Sequence, residues 1–216
     1  YPRPKLCAGG LTLDAEIILE RLNLDVNEVP HIFAHNIHFD FEAKGLNIRL
    51  PGRHALRVIR RDEFDHWLAT KAREAGIEIR EGITVKNITP KPDEVIVETD
   101  QETFHAQILV GADGSNGITR RCIFPDDPLY TARVLEVLIP KYNVIASPTL
   151  SDSEGERRSN PHPHKEIASG KNTPRNDDNA YFEFSPVPDN IAGYVWDFPT
   201  QVKGQAMRCW GIYDTN

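Results

Sequence analysis

Apolar positions in this chain recur at two different periods, and the switches between them mark out the elements. Thr12 can cap a helix that carries Asp14 and Glu16 in its first turn and runs to about Leu22. Phe33, Ile37, Phe39 and Phe41 then keep a period of two, which predicts one strand with His31 and His35 on one face and His38 on the other. The segment FEAKGLNIRL reads as a hairpin turning near Lys44 and Gly45, with Leu46, Ile48 and Leu50 on one face. Leu56 and Val58 form a strand that leads into a helix capped near Asp62. Its stripe of Phe64, Trp67, Leu68, Ala72 and Ala75 faces a core, and Gly76 ends it.

From Ile77 to Val110 short apolar alternations are broken at Gly82 and between Pro90 and Pro92, which predicts a small β-meander followed by a strand. That last strand, Ile108 to Val110, is apolar throughout, the pattern of a strand buried on both faces. Ala132 to Pro140 reads as a strand of a second sheet, and Tyr194, Trp196 and Phe198 share one face of a later strand. Between them, Leu150 to Asn179 is polar and Pro-containing. Such a tract buries too little apolar surface to offset its ordering entropy, so a mobile insertion is expected there. The fold class that follows is mixed, α/β with α+β character.

The candidate chemistry lies in QILVGADGSNGITR, Gln107 to Arg120. Gly111 and Gly114 permit close approach of a ligand to the main chain, and Ser115 and Asn116 can cap a helix whose first N–H groups favour an anion. The stretch therefore reads as a phosphate or dinucleotide cradle, or as an ordinary strand-turn-helix joint. A formal charge of −7 over 216 residues argues against a nucleic-acid partner reached through bulk electrostatics. Cys7, Cys122 and Cys209 are too scattered for a disulfide framework or a zinc site, and His31, His35 and His38 do not converge on one strand face, so no metal site is expected. A reducing, cytoplasmic setting is the better prior. No stretch approaches the roughly 20 apolar residues of a bilayer span. The chain opens at Tyr1 and has its one methionine at Met207, which suggests an excised or partial chain.

Four segments carry a resemblance. Asp113, Gly114 and Arg120, after the apolar run, resemble the Asp-Gly fingerprint of FAD-dependent hydroxylases, halogenases and geranylgeranyl reductases, with Gly117 where a Ser is usual. Val58, Arg61, Phe64, Asp65 and Leu68 resemble a second segment of the same flavoproteins, in which an arginine comes close to the FAD. In the N-terminal loop, Arg3, Lys5, Cys7, Gly9 and Gly10 are similar to the Pro-Cys-Gly-Gly segment of geranylgeranyl reductases, with Leu6 and Ala8 departing from it. Gly193-Tyr-Val-Trp-Asp-Phe-Pro199 is similar to a Gly-Tyr-x-Trp-x-Phe-Pro strand of that family.

The resemblance implies a partial FAD-binding α/β domain, residues 1–30 and 55–128, carrying the small meander. It also implies part of an antiparallel substrate-domain sheet, residues 31–54 and 129–216. Two family segments do not occur here, the Gly-x-Gly-x-x-Gly turn and a second Gly-Asp segment. By resemblance Arg61, Gly111, Asp113, Gly114 and Arg120 are the cofactor-binding candidates, and Cys7, Tyr194 and Trp196 the catalytic ones. The implied cofactor is FAD, with NAD(P)H or another electron donor. The implied reaction is reduction of polyprenyl double bonds, on an apolar isoprenoid substrate that peripheral membrane contact would help the protein reach. Flavin-dependent hydroxylation or halogenation is the first alternative, and a non-catalytic binding module is the second. Tyr194 and Trp196 are expected to line a cavity, although three aromatics on one strand face equally suit a core.

Overall fold

The computed structural model describes residues 1–41, 44–141, 181–186 and 193–215. The expected insertion at Leu150 to Asn179 lies outside the described residues. In chain order the elements are β1 (Gly10–Leu11), α1 (Leu13–Arg21), β2 (His31–Ala34), β3 (Asn36–Phe41), β4 (Lys44–Arg49), β5 (Leu56–Ile59), α2 (Arg61–Glu74), β6 (Val85–Pro90), β7 (Val95–Thr99), β8 (Thr103–Ala106), α3 (Ile118–Ile123), β9 (Arg133–Pro140), β10 (Tyr181–Pro186), β11 (Gly193–Val202) and β12 (Gln205–Asp214). They fall into two compact units, Tyr1 with Ala69–Thr131 and Pro2–Leu68 with Ala132–Asn216.

The first unit holds the predicted meander as a three-stranded antiparallel sheet in the order β6-β7-β8. Ile88 and Val97, register partners on neighbouring strands, are its buried pair. The Cys122 thiol of α3 donates to the Ile88 carbonyl at 3.2 Å and ties that helix to β6. The last turn of α2 ends as expected at Gly76, whose φ of +82° closes a Schellman pair, Gly76 N–H to Arg73 O and Ile77 N–H to Ala72 O.

One expectation fails here. Ile108 to Val110 is not a strand, and Ile108 and Val110 are each 81% exposed. A strand exists only where neighbouring backbone pairs with it, and no described strand lies alongside these residues.

In the second unit a small sheet, ordered β1-β5-β2, meets a six-stranded sheet ordered β4-β3-β10-β11-β12-β9. All its pairings are antiparallel except β3 with β10. All four residues of β5 are buried because elements cover both of its faces. On one face Leu56 and Val58 pack with Ala34, Trp196, Phe198 and Cys209, so β11 and β12 close over the small sheet. On the other face Ile59 joins Leu19, Val26, Val29 and Phe64 against α1 and α2. Burying a side chain such as Val58, 1% exposed, contributes about 1.5–3 kcal/mol.

Arg57 falls by alternation on the α1 side and is 4% exposed. Its Nε donates to Glu16 Oε1 at 2.8 Å and its Nη1 to Asn27 Oδ1 at 3.1 Å, while the guanidinium lies over the Phe33 ring. His54 Nε2 shares the same Glu16 oxygen at 3.0 Å. This arrangement depends on α1, which begins as predicted with the Thr12 side chain accepting from the Ala15 N–H.

The predicted single strand from His31 to Phe41 is divided. β2 pairs with β5 in the small sheet, and β3 pairs with β4 and β10 in the large one, so the chain changes sheets at His35. Apolar alternation continues through the break, which is why period alone could not reveal it. β3 and β4 pair as the expected hairpin requires, but Lys44 and Gly45 already belong to β4, and residues 42–43 lie outside the described residues.

Candidate functional site

The Asp-Gly turn of the first unit is built around one carboxylate. Asp113 Oδ2 accepts from the Thr119 backbone N–H at 3.0 Å and from its hydroxyl at 3.2 Å, so the side chain caps α3 from outside the helix. These bonds, the Thr119 N–H foremost, hold its pKa below the ordinary Asp value. Ser115 and Asn116 do not take the capping role. The N-cap is Gly117, which offers no side chain to it. A Cβ at position 117 would fall inside the Asp113 carboxyl group, and this is the physical reason a glycine stands where a serine was expected.

Gly114 adopts a φ of +87° and has no atom within 4 Å of where a Cβ would stand, so the main chain there is open to a ligand. Gly111 instead packs against the Thr119 side chain. Arg120 is engaged, with Nη2 donating to the Asp127 carboxylate and to the Pro128 carbonyl.

In the second unit the N-terminal loop and the start of α2 are brought together. The loop lies against β5 because its glycines allow it. Gly9, with a φ of +84°, has the Ile59 carbonyl where a Cβ would go, and Ile59 N–H donates back to Gly9 O at 3.0 Å. This places the Cys7 sulfur 3.9 Å from Arg61 Nη1. Arg61 also grips Asp65 with two bonds, Nε to Oδ1 at 2.9 Å and Nη2 to Oδ2 at 3.2 Å, and that carboxylate drives its pKa further up. Cys7 and Arg61, read separately in the sequence, are thus neighbours.

Tyr194 and Trp196 part company. Tyr194 is half-buried and stacks on Tyr213 with ring centroids 5.3 Å apart. Trp196 is 7% exposed and sits in the core cluster with Val58 and Phe198. The expectation that Trp196 lines a cavity is therefore corrected. Its strand is covered by the small sheet, so its ring packs a closed interior.

Beside that core a cavity of about 320 Å³ opens to solvent, lined by Pro4, Lys5, Leu6, Arg60, Asp62, Glu136 and Leu138. Glu136 and Leu138 lie on the inward face of β9, opposite Gly211 and Cys209 of β12. Burial pushes the Glu136 carboxyl pKa up, with the Cys209 thiol beside it, and its Oε2 is buried without a hydrogen-bond partner. Burial also pushes the Cys209 thiol up to about 12. Arg60 Nε lies 3.3 Å from Asp62 Oδ1, close enough for charge attraction but not aligned as a hydrogen bond, since that oxygen too has no such partner. Sequence reasoning passed over Glu136. The available signal was a single acidic residue at an inward position of an otherwise apolar strand. Among the described residues no group of His, Cys, Asp or Glu side chains could hold a metal ion, and no helix is long and apolar enough to cross a membrane.

A main-chain cradle at Asp113-Gly114, a three-stranded meander and a large mostly antiparallel sheet together describe part of a flavoprotein fold. The family model described as "FAD binding domain" matches residues 21–181, and the chain belongs to that family, for which FAD is the cofactor. The open backbone at Gly114 leaves room for the close approach of such a group. Over its whole length the chain is 28% identical to an uncharacterized protein of Methanosarcina barkeri, of which it covers 46%. It is also 36% identical over 69 residues, 32% of its length, to Protein FixC of Escherichia coli strain K12, of which it covers 16%. The chain thus spans less than half the length of these curated relatives.

Among solved structures it is similar to a geranylgeranyl bacteriochlorophyll reductase-like protein from Thermoplasma acidophilum. The TM-score is 0.66 at 18% identity, covering 99% of this chain and 48% of that one. It is similar as well to the halogenase PltM, TM-score 0.64 at 11% identity over 100% of this chain and 45% of that one. A third is 2,6-dihydroxypyridine-3-hydroxylase from Arthrobacter nicotinovorans, TM-score 0.59 at 12% identity over 100% and 48%.

Proposed function

We propose that the whole protein is an FAD-dependent oxidoreductase that reduces carbon–carbon double bonds of an apolar, isoprenoid-type substrate. The observation that supports this reading is that three of the four segments bearing the resemblance share one core. Ala8 of the Cys7 loop, Val58 before Arg61, and Tyr194, Trp196 and Phe198 of β11 pack in a single cluster. Bound FAD supplies the hydride in this chemistry. The chain's own part is to position and to exclude water: Gly9 presses the Cys7 loop onto β5, Asp65 fixes the Arg61 guanidinium, and Tyr194 with Tyr213 presents an aromatic surface. Apolar area with few polar groups suits a hydrocarbon chain, since unpaired polar groups would oppose its binding. Peripheral membrane contact would give access to such a substrate, and NAD(P)H or another donor would supply the electrons.

The test is anaerobic incubation of the whole protein with reduced flavin and a polyprenyl substrate, followed by mass spectrometry. Gain of hydrogen across the double bonds supports the reading. Hydroxylated or halogenated product formed only with oxygen present would replace it with the alternative suggested by the hydroxylase and halogenase neighbours.

A further inference from the structure

The second unit carries a cavity that the reductase reading does not use, at the place where the chain passes twice between its two sheets. The first passage is His35 alone, between β2 of the small sheet and β3 of the large one. The second runs from Arg49, the last residue of β4, to Leu56, the first of β5. Its ends are pinned beside the first passage. Arg49 is the register partner of Asn36, Leu56 is that of Ala34, and the Ala55 N–H donates to the Ala34 carbonyl at 2.9 Å. Between the two passages opens a cavity of about 500 Å³, lined by His35, Arg49, Leu50, Pro51, Gly52 and Arg53. That volume is in the ordinary range of a small-molecule site.

Its lining holds two guanidinium groups and no acid. Arg49 and Arg53 are exposed, and neither makes a hydrogen bond or ion pair with a described residue. Elsewhere in this unit Arg3, Arg57, Arg60, Arg61, Arg133 and Arg208 each lie against a carboxylate, as a chain of net charge −7 allows. The acid that this loop does reach is Glu16, through His54, and that carboxylate already accepts from Arg57. Like charges held on one short loop repel each other, and an anion between them removes the repulsion. We propose that this cavity binds a soluble organic phosphate, its phosphoryl group taken by Arg49 and Arg53 and its remainder lying on Leu50, Pro51 and the His35 ring. Two guanidinium charges match the roughly two negative charges of a phosphate ester better than the single charge of a carboxylate. Their planar forks also suit phosphate oxygens in pairs. Whether the protein reduces a prenyl chain does not bear on this site.

The experiment is calorimetric titration of the whole FAD-loaded protein with inorganic pyrophosphate, comparing wild type with Arg49→Gln, Arg53→Gln and Arg21→Gln. Arg21 is an exposed arginine in the last turn of α1, so R21Q removes the same charge without touching the cavity lining. The expected result is saturable binding by the wild type and by R21Q, weakened about 10- to 100-fold in R49Q and in R53Q. Phenylglyoxal labelling followed by peptide mass spectrometry reads the same contact in the wild type alone. Pyrophosphate should protect Arg49 and Arg53 and leave Arg21 open, and if a variant fails to fold this protection decides by itself. No binding, equal weakening in R21Q, or equal protection of all three arginines overturns the proposal. Succinate bound as tightly as pyrophosphate overturns it too, since the site would then be a general anion patch. So does binding to phosphatidylcholine vesicles carrying phosphatidic acid when soluble pyrophosphate is not bound, since the ligand would then be a lipid surface. Phenyl phosphate should bind more tightly than inorganic phosphate, and equal or weaker binding overturns the role given to the apolar wall.

Discussion

The indole of Trp196 lies against Gly211 on the neighbouring strand, in the space a Cβ at position 211 would occupy. One ring thereby bridges β11 and β12 and turns its polar edge toward Cys209. A Gly211→Ala substitution must therefore displace the ring. The expected cost is about 1–3 kcal/mol of stability, the usual range for overpacking, read by chemical denaturation. Tryptophan fluorescence of the folded variant should shift with the moved indole.

Trp196→Ala tests the same packing from the other side. A large ring removed from a closed core leaves a void, and the loss should be about 3–5 kcal/mol. A melting temperature close to that of the wild type would return Trp196 to the role of a cavity wall.

Glu16→Ala should rank among the most damaging changes on α1. It leaves the Arg57 guanidinium, 4% exposed, with Asn27 as its one remaining side-chain hydrogen-bond acceptor and removes the partner of His54. Breaking one side of a buried ion pair costs about 3–5 kcal/mol. Denaturant titration at neutral pH measures it, and Glu16→Gln, which keeps an acceptor, should lose less.

Asp113 gives a pH-dependent prediction. Its pKa is depressed by the Thr119 N–H, so its contribution is complete above the ordinary Asp value of about 3.9 and is lost as pH falls through the lower folded value. The Thr119 amide resonance should follow that transition. In Asp113→Asn it should stay fixed over the same range, and Gly117→Ser should weaken the same bond by displacing the carboxyl.

Much of this fold could be read from local pattern. Thr12 and Gly76 bound their helices by chemistry that belongs to the residues themselves, and the meander announced itself by alternation between Pro and Gly breaks. What escaped were properties set by distant backbone. Ile108 to Val110 is apolar enough for a buried strand but has no described strand beside it. His35 joins two strands that alternation alone could not separate. Asp113 and Gly114 were legible as a turn, yet the link from Asp113 to Thr119 required the fold. The surroundings of Glu136, the Cys209 thiol among them, are assembled only once β9 and β12 are aligned.

The most direct measurement is the absorbance spectrum of the whole protein carrying reduced flavin, followed without oxygen as a polyprenyl substrate is added. The reductase account predicts that the oxidised flavin spectrum returns in step with hydrogenated product. Flavin that stays reduced until oxygen is admitted, with the prenyl double bonds unchanged, would contradict it.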